Sequence, residues 1–403
     1  MFWGNPVESA LSSLKSKVSA PVRVVLWDGR EVAFSDVPRV TLRLKDTAAA
    51  TALMRPTLMS LAQAYIDGKA DLEGDVREAI RSAEAFSRAG NRSLFQSQGP
   101  TNARRSRRED RDAILHHYDV SNDFYALWLD PRMVYSCAYF RTGSESLETA
   151  QVQKLDHICT KLMLQPGDDF LDIGCGWGAL VMHAARHYGV RATGVTLSEN
   201  QHRLANERIR DAGLASRCRV LLQDYRDIPG EETYDKIASV GMFEHVGLKH
   251  LPEYFGAVRR LLKEQGLFLN HGITSSDTRN RAVGLGGGEF IGRYVFPKGE
   301  LPHLHLVVRE MSDRDLQVHD VECLRAHYAK TLDRWSGNFE QHLEAAARAS
   351  SERTARIWRL YLAGCAHAFE QGWISIYQVL ATRQSRPGFA TLPLTRDWMY
   401  RGT

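Results

Sequence analysis

Apolar and polar positions alternate in two distinct ways along this chain, and the change of period divides it. Residues 22–44 alternate with a period of two: VRVVLW, a turn at Asp28-Gly29, then EVAF and RVTLRL. That pattern predicts a β-hairpin followed by another strand. Residues 48–88 switch to helical spacing, interrupted by the glycine-containing stretch GKADLEGD at 68–75. Apolar periodicity then fades over 91–112, a segment holding Arg104, Arg105, Arg107, Arg108 and Arg111, which reads as a basic linker. From residue 113 onward, strand-length apolar runs at 168–173, 190–196, 219–224, 236–241 and 266–272 alternate with helical stretches such as 199–212 and 251–263. This predicts an α/β domain around a mostly parallel sheet. Residues 321–371 read as mainly helical, and WISIYQVLA (373–381) reads as a late strand joining the sheet. The expected organisation is a small α+β domain over 1–90, the linker over 91–112 and a catalytic α/β domain over 113–403.

Composition narrows the class. A hydrophobic content of 43% with 25% charged residues excludes a disordered chain, and 403 residues suit two or three domains. Lys plus Arg total 52 against 48 acids, so the net charge of +4 carries no nucleic-acid signature. Cys137, Cys159, Cys175, Cys218, Cys323 and Cys365 show no metal-ligand spacing and read as free thiols of a reducing compartment. No apolar run approaches the roughly 20 residues of a membrane span, and the N-terminus lacks a signal-type apolar core. The expectation is a cytoplasmic protein whose membrane contact is peripheral.

FLDIGCGWGAL (170–180) is the strongest local motif. An apolar strand ends in Asp172 and passes through Gly174, Gly176 and Gly178 into a helix. The glycines let backbone approach a ligand closely, and the helix start offers unpaired N–H groups. The spacing is G-x-G-x-G rather than the G-x-G-x-x-G of dinucleotide sites. Asp172 beside the loop favours an ammonium group over a pyrophosphate, and S-adenosylmethionine, with its amino-acid end and sulfonium, fits. The alternative is a tight strand–helix turn with no ligand. The end of the next strand, GVTLSENQ (194–201), lacks the acid with which many such enzymes hold the ribose.

Reading outward, HYDVSNDFYALWLDP (117–131), YSCAYF (135–140), GVTLSENQ, LLQDYRD (221–227), GMFEHVG (241–247) and YVFPKGELP (294–302) follow in this order. Together, from about residue 20 to 385, they closely resemble the cyclopropane-fatty-acyl-phospholipid synthases and their mycolic-acid-modifying relatives. The resemblance implies a Rossmann-like class I S-adenosylmethionine-dependent methyltransferase fold acting on cis double bonds of lipid acyl chains. It implies cofactor binding at Gly174, Gly176, Thr196, Leu197 and Gln201, with Tyr135 and Ser136 closing over it and Asp224 and Tyr225 flanking the adenine. The absent ribose acid matches the family pattern.

An isolated alkene is a weak nucleophile, so its methylation needs a strong electrophile, and ring closure needs a base for a proton of the arriving methyl. The resemblance implies that a bicarbonate ion is that base, held by Cys137, Glu244, His271, Ile273 and Tyr328. Cys137 and Ile273 would act through backbone N–H groups, while Glu244, His271 and Tyr328 orient the ion and relay its proton. Taken singly, His271, Tyr328, Glu244 and Cys137 read as ordinary structural residues. Tyr139 and Phe140 are candidates for facing the cation.

The substrate implied is an unsaturated phospholipid acyl chain at a membrane surface, with a homodimer and without nucleic acid. AYIDGKADLEGD (64–75) resembles sterol-carrier-type lipid modules, which makes the first domain a candidate lipid-presenting unit. The linker arginines suit an anionic surface, though plain solvation is an equal reading. AVGLGGGEFIG (282–292) reads as a mobile loop near the acyl entrance. A sibling chemistry, leaving a methyl or methylene branch, and a catalytically silent lipid-binding protein are the alternatives.

Overall fold

The N-terminal alternation folds into β1 (Val22–Val25), β2 (Glu31–Ala33) and β3 (Val40–Leu44). β1 and β2 pair antiparallel, with Val24 opposite Val32, and β3 runs parallel to β1. Gly29 adopts the positive φ of 87° that the turn requires. The stretch read as an interruption supplies a fourth strand, β4 (Ala70–Gly74), antiparallel to β3 with Leu42 opposite Leu72. Helices Gly4–Lys15, Thr47–Met54, Leu58–Ile66 and Val76–Ala89 pack around this sheet. The first of them was not anticipated; its Val7, Leu11 and Leu14 are buried at helical spacing. A short strand, β5 (Phe95–Gln96), follows.

This computed structural model describes residues 4–54, 56–89, 93–96, 120–297, 299–384 and 392–400. Arg104, Arg105, Arg107, Arg108 and Arg111 lie outside the described residues, as do positions 117–119 of the HYDV string.

The five expected parallel strands are present as β6 (Asp169–Ile173), β7 (Arg191–Thr196), β8 (Cys218–Leu222), β9 (Tyr234–Val240) and β10 (Leu262–Ser275). After β11 (Ala282–Val283) come β12 (Leu316–Cys323) and β13 (Ile374–Arg383), giving a seven-stranded sheet of order β12-β13-β10-β9-β6-β7-β8. β13 is the late strand of the sequence and runs antiparallel to both neighbours. β12 overlaps a stretch read as helical, and its acids explain why. Asp320 and Glu322 accept from the buried Lys161 Nζ at 3.1 and 2.7 Å, and Glu322 also meets His157 Nε2 at 2.7 Å. A strand that buries carboxylates against cations on the helix Leu147–Lys161 does not show the usual apolar alternation. Chain order reverses between β6 and β9, which opens a crevice at their carboxyl ends, the usual ligand position in such sheets.

The segment 282–292 is not a loop. Ala282–Val283 pairs with β5, and Gly287–Tyr294 is helical. Its glycines serve close approach instead of mobility: a Cβ on Gly286 would stand 2.6 Å from the Met59 backbone nitrogen. No helix among the described residues is long and apolar enough to cross a membrane.

The long helix Glu352–Glu370 carries the N-terminal module. Arg356 Nη1 donates to the carbonyls of Tyr65 and Ala70 at 2.7 and 3.2 Å. Arg359, almost wholly buried, makes a two-pronged bond to Glu340 at 2.7 and 2.8 Å and donates to the Tyr65 hydroxyl at 3.0 Å. Removing one partner of such a pair leaves the other charge poorly compensated. Arg359→Ala should therefore lower the unfolding free energy by about 1.5–3 kcal/mol, the scale of hydrogen bonds to a charged group, in urea denaturation; a loss below about 0.5 kcal/mol, the range of an ordinary surface change, would contradict this role.

Candidate active site

Two cavities meet at the carboxyl ends of β6 and β9. The smaller, of about 140 Å³, is lined by every residue expected at the cofactor: Tyr135, Ser136, Gly174, Gly176, Thr196, Leu197, Gln201, Asp224 and Tyr225. Gly174 sits at φ 78°, and a Cβ there would stand 2.6 Å from the Met242 Cβ, so only glycine lets the loop pass under that residue. Gly178, at φ 83°, opens the helix Ala179–His187 without a side-chain cap. Thr196 donates its hydroxyl proton to Gln201 Oε1 at 2.7 Å, which fixes both side chains. Asp224 is committed to Arg226, accepting from its backbone N–H at 2.9 Å and from its guanidinium at 2.9 and 2.6 Å.

A cationic, zwitterionic cofactor fits the donor set. Asp172 Oδ1 is buried with no hydrogen-bond partner in a cavity wall, so a carboxylate oxygen is available to an ammonium group. Burial pushes the Asp172 carboxyl up to about 7, and the Lys154 charge only partly opposes this. Lys154, itself buried, lines the same cavity and donates to Ser136 Oγ at 2.9 Å. Desolvation lowers its ammonium to about 8 against the attraction of Asp172 and Asp130.

The larger cavity, of about 310 Å³, is lined by all of Cys137, Glu244, His271, Ile273 and Tyr328. Most of its other lining is apolar. Two polar atoms there lack partners: Glu244 Oε2 and His271 Nε2. Burial raises the Glu244 carboxyl to about 7, while burial and nearby cations hold His271 well below its usual range, hence neutral. With Gln378 Nε2 donating to His271 Nδ1 at 3.4 Å, the ring proton sits on Nε2 as a donor. The Ile273 N–H, expected to face the ion, donates to Glu244 Oε1 at 2.7 Å. The Cys137 thiol is fully buried, points at the carbonyl of Ala138 at 3.3 Å and is pushed up by desolvation, which makes it a poor nucleophile. Tyr328 packs against Phe369 with the rings tilted by 50° and their centroids 4.7 Å apart. A small anion with several acceptors suits the open atoms of Glu244, when protonated, and His271.

Tyr135, Ser136, Gly241 and His245 line both cavities and so form their shared wall. The segment 134–137 is held in place by the helix Leu147–Lys161: Gln151 Nε2 donates to the carbonyls of Val134 and Ser136 at 3.3 and 3.0 Å. Tyr135 is boxed by Tyr125, Trp128 and Trp335, at centroid distances of 5.6, 5.4 and 5.2 Å. Sequence reasoning missed Lys154 and His245. Lys154 reads as a surface lysine of an amphipathic helix, and only packing shows that it is inside. Tyr139 and Phe140 line neither cavity; Tyr139 is stacked between His157 and His327, with centroids 4.2 and 4.8 Å away.

A family model described as mycolic acid cyclopropane synthetase matches residues 105–379, more than half of the chain. The chain belongs to this family. A second model, described as a domain of unknown function, matches residues 11–92 of this cyclopropane synthetase family member. It is 48% identical over 388 residues to a probable fatty acid methyltransferase of Pseudomonas putida, covering 94% of this chain and 96% of that one. It is 41% identical over 267 residues to the cyclopropane-fatty-acyl-phospholipid synthase of Escherichia coli K12, covering 66% of each. Among solved structures, the mycolic acid cyclopropane synthase CmaA1 complexed with SAH and CTAB matches at TM-score 0.64 and 36% identity, covering 68% of this chain and 98% of that one. The family member is an S-adenosylmethionine-dependent methyltransferase with the class I fold.

Asp172→Asn removes a charge-assisted bond of about 1.5–3 kcal/mol to an ammonium group. Calorimetric titration with S-adenosylhomocysteine should show at least about tenfold weaker binding. Unchanged affinity would remove Asp172 from the cofactor site.

Proposed function

We propose that the enzyme converts the cis double bond of a phospholipid acyl chain into a cyclopropane ring, with bicarbonate as the base. The carrying observation is the pair of unpartnered polar atoms, Glu244 Oε2 and His271 Nε2, in a mostly apolar cavity that shares a wall with the cofactor cavity. Held by Asp172, the glycine loop, Thr196, Leu197 and Gln201, S-adenosylmethionine supplies an electrophilic methyl group. Tyr135 and Ser136 stand between the two cavities and align methyl and alkene. The double bond's electron pair forms the new carbon–carbon bond as the methyl–sulfur bond breaks, its pair remaining on sulfur in the departing S-adenosylhomocysteine, and positive charge develops on the other alkene carbon. Apolar walls keep water from capturing that charge, and the rings of Tyr328 and Phe369 present π-faces to it.

Closing the ring removes one proton from the transferred methyl, its bonding pair forming the last carbon–carbon bond. Bicarbonate supplies the base. His271 donates to it through Nε2–H, and Glu244, protonated on Oε2 below about pH 7, donates from the other side. Because both groups are then neutral, an anion enters without facing a like charge. Cys137 acts through its main chain and forms no covalent intermediate. The same reading places the enzyme at a membrane surface as a homodimer, with residues 1–90 facing lipid and the arginines of 104–111 drawn to anionic headgroups.

A second reading is favoured by one observation: the Pseudomonas putida relative, similar over nearly its whole length, is named a probable fatty acid methyltransferase. The same cation would then end as a methyl or methylene branch.

Incubation with labelled S-adenosylmethionine and vesicles of cis-unsaturated phospholipid, followed by proton NMR of the acyl chains, separates the two. Upfield cyclopropane protons are expected; olefinic methylene signals or a branched methyl would replace the first reading by the second. In the same assay Glu244→Ala should lower product formation by a factor on the order of 10²–10⁴, the usual scale of acid–base assistance, while binding S-adenosylhomocysteine as wild type. Full turnover would sink the cage assignment. A pH series adds a sign. Glu244 loses its proton above about pH 7, so the bicarbonate concentration needed for half-maximal rate should rise between about pH 7 and about pH 9. Glu244→Gln, which always carries a donor, should flatten that rise; an identical rise in the variant would contradict the assignment.

A further inference from the structure

The reacting residues occupy only part of the larger cavity. Its wall also includes Leu42, Leu61, Ile80, Ala83 and Phe86 of the N-terminal module, together with Leu360 and Phe369 of the helix Glu352–Glu370. Leu42, Leu61 and Ile80 are apolar yet only half-buried, and the cavity is the space they face. The module brings two hydroxyls to this wall, and both are engaged: Tyr65 accepts from Arg359 Nη1 at 3.0 Å, and Ser82 donates to the Glu78 carbonyl at 2.7 Å. Among the described residues, the module offers an ester or headgroup at this wall only these two already engaged hydroxyls, whereas hydrocarbon needs no partner. Polar lining such as Ser275, Asn280 and Arg281 comes from the other side, the methyltransferase part of the chain.

The wall is also held firmly. Arg356 and Arg359 fix the module's Tyr65, Ala70 and Leu72, and buried His367 Nε2 meets Glu84 Oε2 at 2.5 Å on the helix that carries Ile80 and Ala83. These contacts fix the module's strand β4 and its helix Val76–Ala89 against the helix Glu352–Glu370.

We infer that the N-terminal module forms the distal end of the acyl-chain site, receiving the methyl-terminal hydrocarbon beyond the double bond and thereby setting how many carbons may follow it. The inference rests on the lipid-acyl reading given above and assigns to residues of the N-terminal module a part in substrate selection.

Ala83→Leu fills that end without touching either reacting centre. The assay uses phosphatidylglycerol vesicles carrying palmitoleoyl, oleoyl or cis-vaccenoyl chains and counts all label transferred from S-adenosylmethionine, whatever the product. Oleoyl and palmitoleoyl chains share the ester-to-double-bond distance, but the oleoyl chain is longer on the methyl side. The variant should lower kcat/KM for oleoyl relative to palmitoleoyl by about tenfold, the scale of a pocket misfit of one or two methylenes. Cis-vaccenoyl, which shares the methyl-side length of palmitoleoyl, should keep its ratio. Unchanged ratios, or a loss that follows the ester side, would overturn the inference. A branched product with the expected chain-length shift would overturn only the cyclopropane reading. Independent of turnover, alkyltrimethylammonium probes of increasing tail length should lose about tenfold affinity for Ala83→Leu only at the longest tails, with S-adenosylhomocysteine binding unchanged; equal affinities at every length would also overturn it. Should Ala83→Leu fail to fold, Ala83→Val carries the same comparison with a smaller shift.

Discussion

A cationic methyl donor must meet an uncharged alkene without water between them, and the architecture follows from that constraint. The cofactor needs charged and polar partners; the alkene and the charge that develops on it need an environment that excludes nucleophiles. This chain meets both demands with two adjoining cavities whose common wall is the stretch Tyr135–Ser136 together with Gly241 and His245. The stretch is irregular, so its position must be imposed from outside. Gln151 and Lys154 on one helix impose it by hydrogen bonds, and a box of Tyr125, Trp128 and Trp335 imposes it by packing.

Burial of ionisable groups is the second consequence. Asp172, Lys154 and Glu244 are all moved toward neutrality by desolvation, each less than fully compensated in the unliganded chain. Such groups are costly to fold and are retained where a ligand completes them. In the reading proposed above, Asp172 is completed by a cation, and Glu244 and His271 by a small anion. The two ligands therefore complement the same thin wall from opposite sides, and the fold tolerates the cost because the surrounding core is large and aromatic.

Much of this was legible from residue patterns. The five parallel strands have apolar runs bounded by turn residues, and the glycine loop at 174–178 shows its geometry in the string itself. Most of the expected cofactor residues lie at strand ends or in the turns after them, whereas Tyr328 and Gln201 come from helices and His271 and Ile273 from within β10. What stayed hidden depends on contacts between distant segments. β12 conceals its strand character by burying Asp320 and Glu322 against Lys161. The glycines at 284–288 look like a flexible loop because close approach, of Gly284 to Ser93 and of Gly286 to Met59, demands the same residue as flexibility. Lys154 looks solvated because its burial is a property of the whole fold. The N-terminal module's share in the larger cavity depends on the arginines of Glu352–Glu370, hundreds of residues away in sequence.

The central claim is that the polar and apolar cavities are two halves of one reaction centre whose common wall is Tyr135–Ser136 together with Gly241 and His245. A crystal structure of the full chain with S-adenosylhomocysteine and a long-chain alkylammonium tests it most directly. The account predicts the thioether sulfur of the nucleoside ligand at the Ser136–Gly241 wall, with the alkyl tail passing Glu244, His271 and Tyr328 on the far side and ending against Ile80 and Ala83. An alkyl tail seated outside this cavity, or a sulfur turned away from that wall, would contradict it.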